Sequence, residues 1–239
     1  MKKIIFTLLA LVGTMSMNAQ KVQVMKIMKN GEVIAKYKAA EADEVVFVEE
    51  IETTGTAEAT IGGVKTNVNW VQLWKDGPKF AEYNVGATSA TEYGGYYNWG
   101  KTTNKDTSGA YKDGTDALTG NDDTATNLWG SNWRMPTKEE LDALLNNQNC
   151  TCTWTTQNGV NGLLCTGKGD YKDNSVFLPA AGNFCIGNVG GQSYYGSYWS
   201  STPNSSDNAY YLHYVSYSKS VGNDGRANGF SVRPVLVEE

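Results

Sequence analysis

Hydrophobic and polar positions alternate along residues 209–217, near the C-terminal end of the chain. Successive side chains of a β-strand point to opposite faces of a sheet, so the alternation predicts a strand with two different faces. The two resulting sets are Tyr210, Leu212 and Tyr214 on one face, and Tyr211, His213 and Val215 on the other. The first set carries an aliphatic side chain between two rings. We expect it to face the core, while the second set faces outward.

The clearest helix signal begins at Thr137, and the helix is predicted to end near Asn147. Thr137 and Glu140 have the spacing of a capping box. The residues that follow give one apolar face, formed by Leu141, Leu144 and Leu145. Acidic residues in a first turn are favoured by the helix dipole, so capping explains the Glu139–Glu140 pair without a catalytic role.

The remaining apolar segments are short and separated by turn residues, which is typical of strands. They are residues 68–73 and 78–85, two strands within 150–166 around Asn158-Gly159, a buried strand from Ser175, and a final strand over 229–235. Residues 101–126 are polar and are predicted to form a long surface loop. With 26 Gly and 7 Trp, the pattern indicates a loop-rich β or α+β fold with few helices and short antiparallel strands.

The chain is predicted to have four parts. Residues 1–19 read as a secretory signal peptide, with a basic start, an apolar segment too short to span a bilayer, and cleavage after Ala19. Residues 20–50 form a small β module with a hairpin turn at Asn30-Gly31 and a third strand at residues 45–48. Residues 51–58 are a linker, and residues 59–239 form the main domain. The mature protein is expected outside the cytoplasm, at the cell surface, in the periplasm or secreted, without a transmembrane segment.

Charge and cysteine content narrow the function classes. The net charge is -5 and no basic run occurs, so nucleic acid is not an expected partner. The four cysteines are Cys150, Cys152, Cys165 and Cys185. In an exported chain they predict disulfides or free buried thiols; Cys150 and Cys152 are too close to pair with each other, so each would need Cys165 or Cys185. Zinc spacings are absent, and no cofactor or metal is predicted.

Acidic residues in the long loop suggest a calcium site as one hypothesis. They are Asp113, Asp116, Asp122 and Asp123. Their spacing differs from that of an EF-hand, and solvated loop acids or helix caps are the favoured interpretation. The aromatic segment 92–100 is interpreted as core rather than as a ligand platform, and Trp129, Trp133 and Trp199 are expected to be buried.

Several motifs together resemble one family, the Fibrobacter succinogenes major paralogous domain, which is common in exported proteins of Bacteroidetes. The motifs are EYNVGA at 82–87, YGGYYNWG at 93–100, WGSNWRMPT at 129–137, FLPAAG at 177–182, YWSST at 198–202 and GFSVRP at 229–234. The resemblance extends over about residues 59–237, and residues 21–50 look like a module found before such domains. It implies a C-type lectin-like fold, similar to that of formylglycine-generating enzymes and of the variable proteins of diversity-generating retroelements.

Two departures limit what these relatives imply. The formylglycine-generating enzymes use cysteines near the C-terminal end, whereas this chain has none after Cys185. Calcium-dependent sugar lectins carry a Glu-Pro-Asn or Gln-Pro-Asp triplet, and neither occurs in this sequence. The expected function is therefore a non-enzymatic ligand-binding or adhesion protein that recognises a surface protein or glycan. An enzyme related to formylglycine-generating or glycan-active proteins, or a structural cell-surface component, is the alternative.

The predicted contact surface lies within residues 203–228, which match the exchangeable segment of the variable proteins. This segment is rich in Tyr, Ser and Asn, the residue types of adaptable binding surfaces. Gly222 and Gly225 predict an exposed, pliant loop after the strand. The residues expected to contact a ligand are Tyr211, His213, Tyr217, Asn223 and Arg226.

Overall fold

The computed structural model describes residues 24–29, 32–38 and 52–237. The chain divides into two compact units, residues 1–51 and 52–239. In the first unit, β1 (Val24–Lys29) pairs antiparallel with β2 (Glu32–Lys38), and Lys29 lies opposite Glu32. The predicted turn at Asn30-Gly31, the predicted strand at residues 45–48 and the signal peptide lie outside the described residues.

The second unit is mostly antiparallel β-sheet with few helices, as the sequence predicts. Its strands are β3 (Thr54–Ile61), β4 (Val64–Gln72), β5 (Lys79–Ala81), β6 (Trp133–Arg134), β7 (Cys150–Gln157), β8 (Val160–Gly167), β9 (Ser175–Pro179), β10 (Asn183–Cys185), β11 (Asn188–Gly190), β12 (Tyr195–Pro203), β13 (Asn208–Val215), β14 (Ser218–Gly225) and β15 (Val235–Leu236). The helices are α1 (Thr124–Trp129) and α2 (Lys138–Leu145), with short 3-10 turns at Gly120–Asp122 and Gly169–Tyr171. Within the described part of the chain, no helix is long and apolar enough to cross a membrane.

A five-stranded sheet in the order β3-β4-β5-β15-β6 separates two hydrophobic clusters. The register places Val71, Phe80 and Val235 on one face, where they join a cluster with Leu141, Leu163 and Leu212. The opposite face carries Trp70, Ala81 and Trp133, which join a cluster with Trp99, Trp129 and Trp199. The tryptophans of the motif segments are buried, as predicted.

The predicted linker is largely strand. β3 begins at Thr54, and it pairs with β4 around Gly62 and Gly63, whose positive φ angles of 59° and 82° suit a type I′ hairpin turn. The strand can form because residue 55 is a glycine: a Cβ there would lie 2.7 Å from the ring of Trp70. Residues 54–58 therefore belong to an edge strand, in which Thr54, Thr56 and Glu58 are exposed.

Helix α2 follows the prediction closely. The Thr137 Oγ1 accepts a hydrogen bond from the Glu140 amide at 3.2 Å, and the Glu140 carboxylate accepts one from the Thr137 amide at 2.8 Å. Arg134 donates to both oxygens of Glu140, at 2.6 and 2.7 Å. Leu141 and Leu144 are buried, and the helix ends at Leu145, two positions before the predicted end.

The loop predicted over residues 101–126 ends in the unpredicted helix α1. Asp123 caps this helix: its carboxylate accepts hydrogen bonds from the amides of Thr126 at 2.9 Å and Met135 at 2.8 Å. Burial raises the pKa of Asp123, and these backbone donors oppose the rise. Asp122 pairs with Lys112 at 2.7 Å. Among the described residues, no group of three or more His, Cys, Asp or Glu side chains is placed to hold a metal ion.

The β7–β8 hairpin turns at Asn158-Gly159, as predicted, and positions the cysteines. Cys152 lies directly opposite Cys165, and the two form a disulfide. Cys150 is a buried free thiol and Cys185 a half-buried one. Burial raises the pKa of the Cys150 thiol to about 12, so this thiol is held in its neutral form.

The final segment differs from the predicted continuous strand, because only Val235–Leu236 forms one. Gly229, Phe230 and Ser231 instead make single bridges to Phe184, Tyr97 and Tyr198 respectively. The Arg233 side chain is buried and donates hydrogen bonds to four oxygens, those of Asn84 Oδ1 and of the Ala81, Glu82 and Phe177 carbonyls. Burial lowers its pKa to about 10. This segment ties remote parts of the domain together.

Candidate functional site

The predicted contact residues lie on or beside the three-stranded sheet β12-β13-β14. Strands β13 and β14 form a regular hairpin in which Val215 lies opposite Ser218 and Tyr211 opposite Gly222. Residues 218–225 are therefore strand rather than the pliant loop that Gly222 and Gly225 suggested. A regular register fixes which side chains share a face.

One face of this sheet, here called the core face, is formed by Tyr198, Leu212 and Tyr214. All three are fully buried. The Tyr198 hydroxyl donates to the Pro179 carbonyl at 2.7 Å, and the Tyr214 hydroxyl donates to the Leu178 carbonyl at 2.6 Å. Leu212 and Tyr214 confirm the predicted inward direction, whereas Tyr210 is half-buried and lies under the Lys138 ammonium, 5.3 Å from its ring centre.

The opposite face, here called the His213 face, carries Tyr195, Ser197, Tyr211, His213, Ser220 and Asp224. Cross-strand pairing brings them together, with Ser197 and Ser220 on either side of His213. The His213 ring centre lies 5.5 Å from that of Tyr195 and 5.9 Å from that of Tyr211. All three rings are half-buried, and Ser220 is exposed. The result is a row of aromatic side chains with polar groups along its border.

The inner end of the His213 face is anchored in the core. The Tyr211 ring packs against Phe230 at 4.8 Å and against the buried Trp199 at 5.9 Å. The Trp199 indole donates to the Tyr97 carbonyl at 2.9 Å. Tyr211 is therefore on the predicted face, but its ring is only partly outward because it packs against Trp199 and Phe230.

The environment of His213 favours the neutral imidazole. Burial lowers its pKa from 6.5, and the carboxylate of Asp224 on the same face partly opposes this. The Ser197 Oγ lies 3.4 Å from His213 Nδ1. A neutral imidazole presents one donor and one acceptor, so it can bind a ligand hydroxyl or amide in either role.

Tyr217 and Asn223 lie away from the His213 face. Tyr217 is 90% exposed in the turn between β13 and β14, beside a cleft of about 330 Å³ lined by Trp154 and Lys219. Asn223 lies opposite Tyr210 and so belongs to the other face, where it is exposed; its Oδ1 accepts a hydrogen bond from the side-chain Nδ2 of Asn208 at 3.3 Å. The five predicted residues do not form one surface.

Arg226 differs from the other predicted contacts because its side chain lies inside the domain. It is fully buried, with its guanidinium 4.1 Å from the centre of the Trp99 ring. It donates to the carbonyls of Lys112 at 2.7 Å and Gly114 at 2.8 Å, and also to those of Asn208 and Ser205. Arg226 joins the long loop to the C-terminal hairpin, because five guanidinium donors can satisfy several carbonyls at once.

Tyr195 and Ser197 were missed by the sequence analysis. The alternation in Tyr195, Ser197 and Trp199 puts these three residues on one face of β12, and this signal was available from the sequence. Their position beside Tyr211 and His213 depends on the pairing of β12 with β13, which the alternation does not specify. Tyr195 is further held by a hydrogen bond from its hydroxyl to Asn183 Oδ1 at 2.9 Å.

A family model described as the Lcl C-terminal domain matches residues 65–236, and the chain belongs to this family. The match covers most of β4, the strands β5 to β15, both helices and the whole His213 face, whereas β1, β2 and β3 lie before it. No curated protein and no solved structure matches the chain.

Proposed function

Starting from membership of the Lcl C-terminal domain family, we propose that the chain is an exported, non-enzymatic ligand-binding or adhesion module that contacts its ligand through the His213 face. The observation that carries this proposal is the row of half-buried rings formed by Tyr195, His213 and Tyr211. Such rings offer apolar area with few internal rotations to lose, and hydroxyl, imidazole and carboxylate groups lie beside them. A surface protein or a glycan is the kind of ligand that suits this mixture.

We include in this proposal the fold of the domain and the narrower family that its motifs resemble. The motif resemblance to the Fibrobacter succinogenes major paralogous domain and to the C-type lectin-like fold is supported by short antiparallel sheets and few helices. Export is supported by the basic and apolar pattern of residues 1–19.

Two variants that each place an arginine in strand β14, one on each face of the sheet, test the proposal. Ser220→Arg adds a long cationic side chain beside His213, and Asn223→Arg adds the same side chain on the opposite face. Both positions are exposed, so both variants are expected to fold. Binding to whole cells and to a glycan and protein array should fall at least about tenfold for Ser220→Arg and stay unchanged for Asn223→Arg.

His213→Ala should also weaken binding, and EDTA should leave wild-type binding unchanged. The opposite ranking, with Asn223→Arg impaired and Ser220→Arg normal, would move the site to the other face of the sheet. A wild-type chain that binds no cell or array component would contradict the proposal as a whole.

An enzyme is the second candidate, because Ser197 and His213 form a serine–histidine contact of 3.4 Å. Ser197 is only 2% exposed, which argues against attack on a substrate by its hydroxyl. Labelling with a fluorophosphonate probe tests this directly. Covalent labelling of Ser197 that His213→Ala abolishes would establish the enzyme in place of the binding module.

A further inference from the structure

A cleft of about 570 Å³ lies between β3–β4 and β8–β9, away from the His213 face. Its apolar lining includes Val71, Leu164 and Phe177, and its polar lining includes Thr54, Thr56 and Asn69. The volume falls within the range of ligand sites, roughly 300–1,000 Å³. The proposed ligand-binding function of the C-terminal sheet does not use this cleft.

The cleft borders the open edge of the five-stranded sheet. The Thr53 carbonyl accepts from the Gln72 amide at 2.8 Å, so the backbone groups of odd-numbered residues in β3 point towards β4. Those of even-numbered residues point away from the sheet. The Glu58 carbonyl confirms this direction, because it accepts hydrogen bonds from the side chains of Asn132 and Trp133, both at 3.1 Å.

Thr54 and Thr56 precede Glu58 in the same strand and line the cleft. Their backbone N–H and C=O groups point outward by the same alternation, and they have no hydrogen-bond partner among the described residues. Two neighbouring outward residues present alternating donors and acceptors, which is the pattern that an added strand pairs with.

The charged side chains of the cleft indicate which kind of extended peptide it can bind. Glu82 and Asp173 contribute carboxylates, whereas none of the described residues that line the cleft is Lys, Arg or His. The Glu82 carboxylate accepts a hydrogen bond from the side-chain Nδ2 of Asn69 at 2.8 Å, which holds it at the cleft. A lysine or arginine side chain fits this lining, because its methylene stem can cover Val71 and Leu164 while its charge reaches a carboxylate.

We propose that the β3 edge and this cleft bind an extended basic peptide segment of a partner protein by strand addition. The segment pairs with the backbone of Thr54 and Thr56, and one of its basic side chains enters the cleft towards Glu82. Peptide is favoured over a small cation because the free backbone groups and the carboxylates border the same cleft.

The experiment uses the full chain and a fluorescein-labelled decapeptide of alternating lysine and valine, followed by fluorescence anisotropy. Thr56→Pro removes the outward N–H and no β3–β4 hydrogen bond. We expect Thr56→Pro to weaken peptide binding about tenfold, because one carbonyl of the bound peptide then lacks the N–H of residue 56 as its donor. Thr60→Pro is the matched control: it removes an outward N–H of the same strand beyond Glu58, and binding should stay unchanged.

Two further readouts separate strand addition from simple charge attraction. Glu82→Gln should weaken binding and reduce its salt dependence, whereas a glutamate–valine peptide and a lysine peptide interrupted by prolines should not bind. Hydrogen exchange of the wild-type chain should show the Thr54 and Thr56 amides exchanging freely alone and slowly with the lysine–valine peptide. This readout decides the matter even if Thr56→Pro fails to fold.

Equal binding by Thr56→Pro and Thr60→Pro, or no binding at millimolar peptide, would overturn the proposal. So would protection of the Thr54 and Thr56 amides in the absence of peptide that disappears on dilution, because a second copy of the chain would then occupy the edge.

Discussion

The two faces of the C-terminal sheet use the same residue type in opposite ways. On the core face, Tyr198 and Tyr214 are at most 1% exposed, and both hydroxyls donate to backbone carbonyls. On the His213 face, Tyr211 is half-buried and its hydroxyl has no hydrogen-bond partner among the described residues. A tyrosine becomes part of a core when a nearby carbonyl satisfies its hydroxyl; otherwise the hydroxyl remains available to a ligand.

Burial also raises the pKa of the tyrosine hydroxyls on both faces. Desolvation raises the pKa of Tyr214 well above 10, and it also raises that of Tyr211, whose ring retains contact with solvent. Both hydroxyls are therefore neutral donors at physiological pH. The core-face hydroxyls already donate within the protein, whereas the Tyr211 hydroxyl, unpartnered within the described part of the chain, is free for the ligand contact that we propose.

The largest expected difference in stability between the two faces comes from replacing one tyrosine on each face by alanine. Tyr214→Ala leaves a cavity in a fully buried cluster and should lower the free energy of unfolding by about 3–5 kcal/mol. Tyr211→Ala removes a half-buried ring that packs on Phe230 and should cost about 1–2 kcal/mol. Urea unfolding of both variants measures the difference. Equal losses would show that the His213 face is as much a part of the core as the opposite face.

Removal of only the tyrosine hydroxyl should change the free energy of unfolding less than removal of the ring, and it should again distinguish the two faces. Tyr214→Phe leaves the Leu178 and Pro179 carbonyls without this donor and should cost about 1–3 kcal/mol. Tyr211→Phe should change stability by less than about 0.5 kcal/mol, because its hydroxyl has no described partner. The same two variants can be compared by thermal unfolding. A costly Tyr211→Phe would reveal a hydrogen bond that keeps this hydroxyl from a ligand.

The smallest expected effect is a pH dependence that belongs to the His213 face. Burial places the pKa of His213 below 6.5, so the unfolded chain binds a proton more readily than the folded chain. The stability contributed by the neutral imidazole is therefore present above pH 6.5 and is lost as pH falls through the lower folded-state pKa. His213→Gln should remove this slope.

Comparison of wild type and His213→Gln between about pH 7.5 and 5 measures the effect, before most carboxylates titrate. The chain has a single histidine, so the difference between the two curves reports on His213 alone. A wild-type chain that gains stability over the same window would mean that Asp224 holds the imidazole in its charged form.

The sequence by itself determined the features that depend on near neighbours along the chain. The capping box of Thr137 and Glu140, the Asn158-Gly159 turn and the inward direction of Leu212 and Tyr214 are all as predicted. Each follows from a local rule: a hydrogen bond three residues away, a turn geometry or the two-residue period of a strand. Local rules also gave Tyr211 and His213 a common face, opposite the core face.

Only the tertiary structure decided what covers each side chain. Arg226 follows Gly222 and Gly225, which predict an exposed loop, but its side chain is buried and donates to the carbonyls of Lys112 and Gly114, 114 and 112 positions away. The Ser197–His213 contact likewise needs the pairing of β12 with β13. Strand period fixes the direction of a side chain relative to its own backbone. Burial depends on remote segments, whose positions are set by the packing of the whole domain.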